Sequence, residues 1–195
     1  DILCWDGSRS GYDFQDGLIA YYPFDGNASD HSGNGNHGSQ VGTTLSSDRL
    51  EIPNMAFQFN GTNDYILLPQ TQLLDGQTNA TISIWFKFGS PYQAGQLLAS
   101  GDSRAGLDPF SMRIAVGGAE DFGFANTNNT DTLKTGGLQI PGMIGGTWQQ
   151  ITAVVKNNGT TSTMKTVHNG QLAGSASSRT VFTIASDRPM PAQIR

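Results

Sequence analysis

Between Asp25 and Gly38 the chain concentrates oxygen-bearing side chains, Asp25, Asn27, Ser29, Asp30, Ser32, Asn34 and Asn36, with glycines at 26, 33, 35 and 38. Glycine adopts backbone conformations closed to other residues, so such a loop can turn its carbonyls inward. Hard oxygen donors at that density suit Ca²⁺, which takes about six to eight oxygen ligands from carboxylates, amides and carbonyls. The same composition describes a solvated turn rich in Asp and Asn, and composition alone does not separate the two. The loop is not an EF-hand, because the Asp-x-Asp-x-Asp-Gly frame and the Glu that closes it are missing.

Residues for catalysis are sparse. Retaining glycoside hydrolysis needs two carboxylates about 5 Å apart, and Glu51 and Glu120 are the only glutamates. Glu120 with Asp121 reads as an exposed turn rather than an acid–base pair. The histidines stand at 31, 37 and 168, with no His-x-x-x-His and no Gly-x-Ser-x-Gly, so zinc-peptidase and serine-hydrolase chemistry lacks its motifs. His31 and His37 fall in the Asp/Asn loop and read as polar surface residues. A lyase set of Arg113, His168 and Tyr92 has nothing in the sequence to bring it together. The balance leans against an enzyme.

Binding suits the residues better. Glycan sites pair aromatic rings, which stack on the apolar faces of sugars, with amides and carboxylates that orient the hydroxyls. Tyr92, Asp102, Arg104, Asp108 and Phe110 bracket one long segment, and 126–131 is a run of amides that includes Asn126 and Asn128. Loops at the edge of a rigid scaffold are where such sites form. Trp85 and Trp148 sit in strand-like segments, Trp85 opposite an apolar face. Five Asn-x-Ser/Thr sequons, at Asn27, Asn60, Asn79, Asn128 and Asn158, are weak signals in so Asn-rich a chain.

Strands must hold these residues. Hydrophobic residues are 36% and charged residues 14% of the 195, and Gly, Pro or Asn interrupts nearly every helical window, which favours short strands joined by turns. Strands are expected at 18–24, 55–59, 65–68, 81–88, 96–100, 110–116, 122–125, 147–156, 163–168 and 180–184. The second and third form a hairpin pattern around Asn60-Gly61. In 81–88, strict alternation puts Ile82, Ile84, Phe86 and Phe88 on one face and Trp85 on the other. About ten strands at this spacing predict a single antiparallel two-sheet β-sandwich. Residues 1–16 read as a leader or linker and 17–195 as the domain.

Four segments then carry a family pattern. Gly17-Leu18-Ile19-Ala20-Tyr21-Tyr22-Pro23-Phe24-Asp25-Gly26-Asn27 with Asp30-His31-Ser32-Gly33-Asn34-Gly35-Asn36-His37-Gly38 is the first. Ala56-Phe57-Gln58-Phe59-Asn60-Gly61 with Asp64-Tyr65-Ile66 is the second, and Thr81-Ile82-Ser83-Ile84-Trp85-Phe86-Lys87 the third. Trp148-Gln149-Gln150-Ile151-Thr152-Ala153-Val154-Val155 followed by His168-Asn169-Gly170 is the fourth. In order and spacing the chain resembles laminin G-like domains of the concanavalin A-like jelly rolls, in their bacterial extracellular form.

The resemblance implies an all-β jelly roll and a structural Ca²⁺ held first by Asp30, then by Asn36, Asp25 and Asn27. It implies a core position for Trp148. It also implies a final strand beside the first, beyond 192–195. The glutamate strand of related glucanases, Glu-x-Asp-x-x-Glu or Glu-x-Asp-x-Glu, has no counterpart here. The expected function is a non-catalytic module, secreted or at the cell surface, that recognises a glycan or other cell-surface ligand within a larger polypeptide. A polysaccharide hydrolase or lyase and a protein–protein adhesion module are the alternatives.

Charge and cysteine content bound the partners. A net charge of −5 disfavours nucleic acid, no segment has the length of apolar residues a membrane helix needs, and Cys4 alone makes no intrachain disulfide.

Overall fold

Alternation of apolar and polar residues, broken every few positions by Gly, Asn or Asp, makes strands, and strands are what the chain forms. The computed structural model describes residues 2–5, 16–69, 73–74, 77–89, 95–100, 110–114, 119–125, 132–139, 145–177 and 193–194. Among the described residues there are fifteen strands and no helix. The first seven are β1 Ile2–Trp5, β2 Leu18–Tyr22, β3 Ser39–Val41, β4 Thr44–Ser46, β5 Ala56–Gln58, β6 Tyr65–Leu67 and β7 Ala80–Lys87. They are followed by β8 Gly95–Ser100, β9 Phe110–Ile114, β10 Ala119–Ala125 and β11 Thr132–Gln139. The last are β12 Trp148–Asn157, β13 Ser162–His168, β14 Gln171–Ser177 and β15 Gln193–Ile194.

Two large sheets result, both antiparallel. One runs β14-β13-β12-β7-β1-β2 and the other β11-β10-β9-β8-β15-β6-β3, while β4 and β5 pair as a separate ribbon. A single core joins the two sheets: Ala20, Tyr22, Ile82, Ile84, Ile151, Ala153, Val155 and Met164 from the first meet Ile66, Leu98, Met112 and Ile114 from the second. Each fully buried Ile, Leu, Val or Met among them contributes on the order of 1.5–3 kcal/mol. The two-sheet sandwich expected from the sequence is therefore present.

β7 obeys its alternation. Ile82, Ile84 and Phe86 are buried while Trp85 and Lys87 point the other way. Between β13 and β14, Asn169 and Gly170 both take positive φ, 46° and 81°, the conformation of a two-residue hairpin turn that Asn-Gly favours.

Three expectations need correction. Ile2–Trp5 is no leader: it pairs with β2 on one side and β7 on the other, Leu3 aligning with Tyr21 and with Ser83. It thereby fills the position beside β2 where the resemblance expects a later strand. β5 and β6 form no hairpin with each other, since β5 pairs with β4 and β6 with β3 and β15. The intervening Asn60-Gly61 loop is closed locally instead, by Asn60 Oδ1 accepting the Thr62 and Asn63 N–H groups at 2.8 and 3.1 Å.

Trp148 is the third correction. It is half-buried and, opposite Lys87 in register, lies on the outer face of its sheet rather than in the core. The strand expected at 180–184 lies outside the described residues.

Candidate functional site

The Asp/Asn loop folds back against the free edge of β2, and Asp30 organises it. Its carboxylate, 6% exposed, accepts four hydrogen bonds. Oδ1 takes the N–H groups of Tyr21 and Ser32 at 2.9 and 2.8 Å. Oδ2 takes the Ser32 hydroxyl and the Asn36 N–H at 2.8 and 2.9 Å. Burial alone raises a carboxyl pKa, but these donors outweigh it and hold Asp30 below its ordinary value. The Asp30 N–H donates in turn to His37 Nδ1 at 3.1 Å, and Tyr22 anchors the far side by donating its hydroxyl to the Asn36 carbonyl at 2.5 Å.

Beside Asp30 lies a cluster of oxygens. The Ile19 carbonyl faces Ser32 Oγ at 3.1 Å, Asn34 Nδ2 at 3.1 Å and Asn36 Nδ2 at 2.9 Å. The Leu18 carbonyl faces Asn34 Nδ2 at 2.7 Å. The single Ser32 hydroxyl proton goes to Asp30 Oδ2, which leaves the two amide N–H groups for the two lone pairs of Ile19 O. Half a turn of each amide would exchange its nitrogen for its oxygen and bring two more acceptors to the same spot in place of those hydrogen bonds. The donor set of one carboxylate, two carbonyls, two amides and a hydroxyl thus fits a hard cation such as Ca²⁺. It is poor in charge, however: among the described residues no three of His, Cys, Asp and Glu come together.

Of the four residues expected to hold the ion, Asp30 and Asn36 belong to this cluster. Asp25 and Asn27 take other partners. Asp25 faces His31 Nε2 at 3.8 Å, and Asn27 Oδ1 accepts the Ser29 N–H at 2.7 Å. The carbonyls of Leu18 and Ile19 were beyond sequence reasoning, because no side chain signals them. Asn34 and Ser32 were visible in the loop.

A second arrangement occupies the outer face of the β14-to-β2 sheet. Register sets Gln150 opposite Trp85 and Trp148 opposite Lys87, so the two half-buried tryptophans are diagonal neighbours on one face. Ser83, under them, accepts from Gln150 Nε2 at 3.1 Å and lies 3.0 Å from the Thr152 hydroxyl. The Arg49 guanidinium lies 4.8 Å from the Trp85 ring centre and Lys87 Nζ 5.3 Å from that of Trp148, both within cation–π range. Arg49 comes from the segment between β4 and β5, and nothing in the sequence tied it to Trp85.

The other expected binding residues, Tyr92, Asp102, Arg104, Asp108, Asn126 and Asn128, lie outside the described residues. Phe110 opens β9, its side chain likewise outside them. Of the imagined lyase set, Arg113 is exposed on β9 while His168 is buried, its Nε2 2.7 Å from Gln149 Oε1. Desolvation lowers the His168 pKa, and a ring so enclosed is not presented to a polymer. Four of the sequon asparagines, Asn27, Asn60, Asn79 and Asn158, accept backbone N–H groups in turns and strand ends.

Comparison with known proteins gives one family. The model described as the concanavalin A-like lectin/glucanases superfamily matches residues 60–192. None of the curated proteins compared matches the sequence. Among solved structures, the CBM40 of the Ruminococcus gnavus IT-sialidase bound to alpha2,3 sialyllactose is similar at 15% identity and a TM-score of 0.49. The match covers 80% of this chain and 76% of that one. A second structure of that CBM40 is similar at 16% identity and a TM-score of 0.47, with the same coverage.

Proposed function

The chain belongs to the concanavalin A-like lectin/glucanases superfamily, and on that premise we propose that it is a non-catalytic carbohydrate-binding module. The observation that carries this reading is the outer sheet face with Trp85 and Trp148. Two indole rings there stand beside the part-exposed side chains of Gln150 and Thr152, which the buried Ser83 hydroxyl holds from below. Rings supply flat apolar area for the carbon faces of a sugar and the amide and the Thr152 hydroxyl orient its oxygens. The burial of His168 and the lack of a Glu-x-Asp-x-x-Glu or Glu-x-Asp-x-Glu run in the sequence support a non-catalytic role.

Calcium forms part of the reading. Asp30, Asn34, Asn36 and the carbonyls of Leu18 and Ile19 would hold the ion, which supplies positive charge beside a buried carboxylate. The reading also makes the module extracellular, secreted or at the cell surface, and part of a larger polypeptide. Detection of the protein in the culture medium or on intact cells tests the first of these.

Glycan-array binding of the chain and its variants tests the main claim. Trp85→Ala and Trp148→Ala should each abolish most of the signal while leaving the melting temperature within a few degrees. If Asp102→Ala or Asn126→Ala abolishes binding and the tryptophan variants do not, the ligand sits on the loops between 90 and 131 and the sheet face is the wrong surface.

A further inference from the structure

The charge on the sheet face narrows the ligand class. The strands β14, β13, β12 and β7 are contiguous, and they contain Lys87, Lys156 and Lys165 but no Asp or Glu. In a chain of net charge −5 this is a sorting of charge. All three lysines are exposed, and each alternates with a buried neighbour, Phe86, Val155 and Met164, so all three stand on the outer face with the tryptophans. Arg49 adds a fourth cation at Trp85. Solvated sheet faces ordinarily intersperse both signs, since opposite charges across strands stabilise and like charges do not. Four adjacent strands that carry lysines and no acidic residue forgo that stabilisation across their ladders.

We propose that this face binds an anionic glycan chain, one that carries carboxylate or sulfate groups. The proposal rests on the carbohydrate-binding reading and deepens it. Trp85 and Trp148 stack on sugar rings. Arg49, held over the Trp85 ring, turns the edge of its guanidinium to an acidic group, where its planar donors match two oxygens at once. Lys87 serves the neighbouring sugar at Trp148. From Trp148 to Lys156 the strand runs about 26 Å at about 3.3 Å per residue, with Lys165 beside that path, opposite Val154. Such a track fits a polymer better than a single terminal sugar.

The test is calorimetric titration of the chain with polygalacturonate, alginate and heparin, each beside its uncharged counterpart made by carboxyl reduction or desulfation, and with neutral xylan and mannan. At least one charged polymer should bind, and its uncharged counterpart should bind at least about tenfold more weakly. Arg49→Gln and Lys87→Gln, both exposed positions, should each weaken binding about tenfold, as expected for loss of one charge-assisted hydrogen bond. Raising the salt should weaken the parent more than the double variant of Arg49→Gln with Lys87→Gln, which keeps only Lys156 and Lys165.

Equal affinity for charged and uncharged forms, binding of xylan or mannan alone, or full affinity in the double variant overturns the anionic inference and leaves the carbohydrate reading standing. Failure of every polymer to bind overturns both.

Discussion

Asp30→Ala puts a number on the loop. The carboxylate serves three backbone N–H groups, of Tyr21, Ser32 and Asn36, and one hydroxyl. Alanine fills none of these roles, and the residue is 6% exposed, so water has poor access to the vacated donors. Hydrogen bonds to charged groups contribute about 1.5–3 kcal/mol each. The loop lies at a sheet edge, where some water enters, so about 1 kcal/mol for each backbone N–H is the working figure, about 3 kcal/mol in all. For a domain of this size about 2–4 °C of melting temperature follows each kcal/mol, which gives a fall of about 6–12 °C.

Scanning calorimetry in chelator measures this without an ion's help. Asp30→Asn should lose roughly half as much, because its remaining carbonyl still serves the two donors at Oδ1. The pH dependence has a fixed sign. The Asp30 pKa is lowered in the folded chain from 3.8, so its stabilisation is complete above that value and is lost as pH falls through the folded one. The gap between parent and Ala variant should therefore be full at neutral pH and close in strong acid. A loss within about 0.5 kcal/mol, ordinary for a surface substitution, would refute the account of Asp30 as the loop's organiser.

Three further outcomes follow from the same coordinates. If the oxygen cluster holds Ca²⁺, free ion at a hundredfold excess over its dissociation constant should add about 2.7 kcal/mol to stability, and Asp30→Ala should abolish that rise; melting with and without chelator reads both. His168, buried and bonded to Gln149, has its pKa lowered by desolvation from 6.5. Its contribution is present above that value and lost as pH falls through the folded pKa, so urea midpoints should decline in mild acid and decline less in His168→Gln. Gly38→Ala would set a Cβ 2.8 Å from Ile66 Cγ2 and 3.2 Å from Ala28 Cβ. With Ile66 fully buried, the overpacking should cost about 1–3 kcal/mol in chemical unfolding.

Much of the sandwich was legible because burial leaves a period of two. The run from Thr81 to Phe88 shows it plainly, and β12 shows it from Ile151 to Val155. Applied strictly, that same period would have turned Trp148 outward, since it is in phase with Gln150, Thr152 and Val154; family analogy drew it inward against the pattern. β3 escaped notice because all three of its residues are exposed, and β14 because its small and polar residues form no apolar face. β1 is four residues beside a Gly/Ser-rich stretch, and only its partners on both sides make it a strand. The loop was legible in its side chains, Asp30 above all. The carbonyls of Leu18 and Ile19 were not, because a backbone acceptor leaves no mark on the residue type.

The pairing of β2 with β1 also connects the loop to the proposed binding face. β2 ends its sheet, and its outward backbone groups at Ile19 and Tyr21 would offer a template for another strand. Three of the four are taken: Tyr21 N–H by Asp30, Tyr21 C=O by the His31 N–H at 2.8 Å, and Ile19 C=O by Asn34 and Asn36. The side chains of one polar loop therefore stand where a strand would otherwise pair. A partner that approaches this side of the sheet meets little open backbone, so the proposed recognition falls to side chains on the outer face, where Trp85, Gln150, Trp148 and the lysines lie in register. A loop that closes an edge and a face that carries rings and charge are two parts of one surface, and loosening the loop by Asp30→Ala should open the edge to self-association before it disturbs the tryptophans. A rise in apparent mass by light scattering, with Trp fluorescence unchanged, is the expected signature. A monomer with altered fluorescence would mean that the loop supports the face directly.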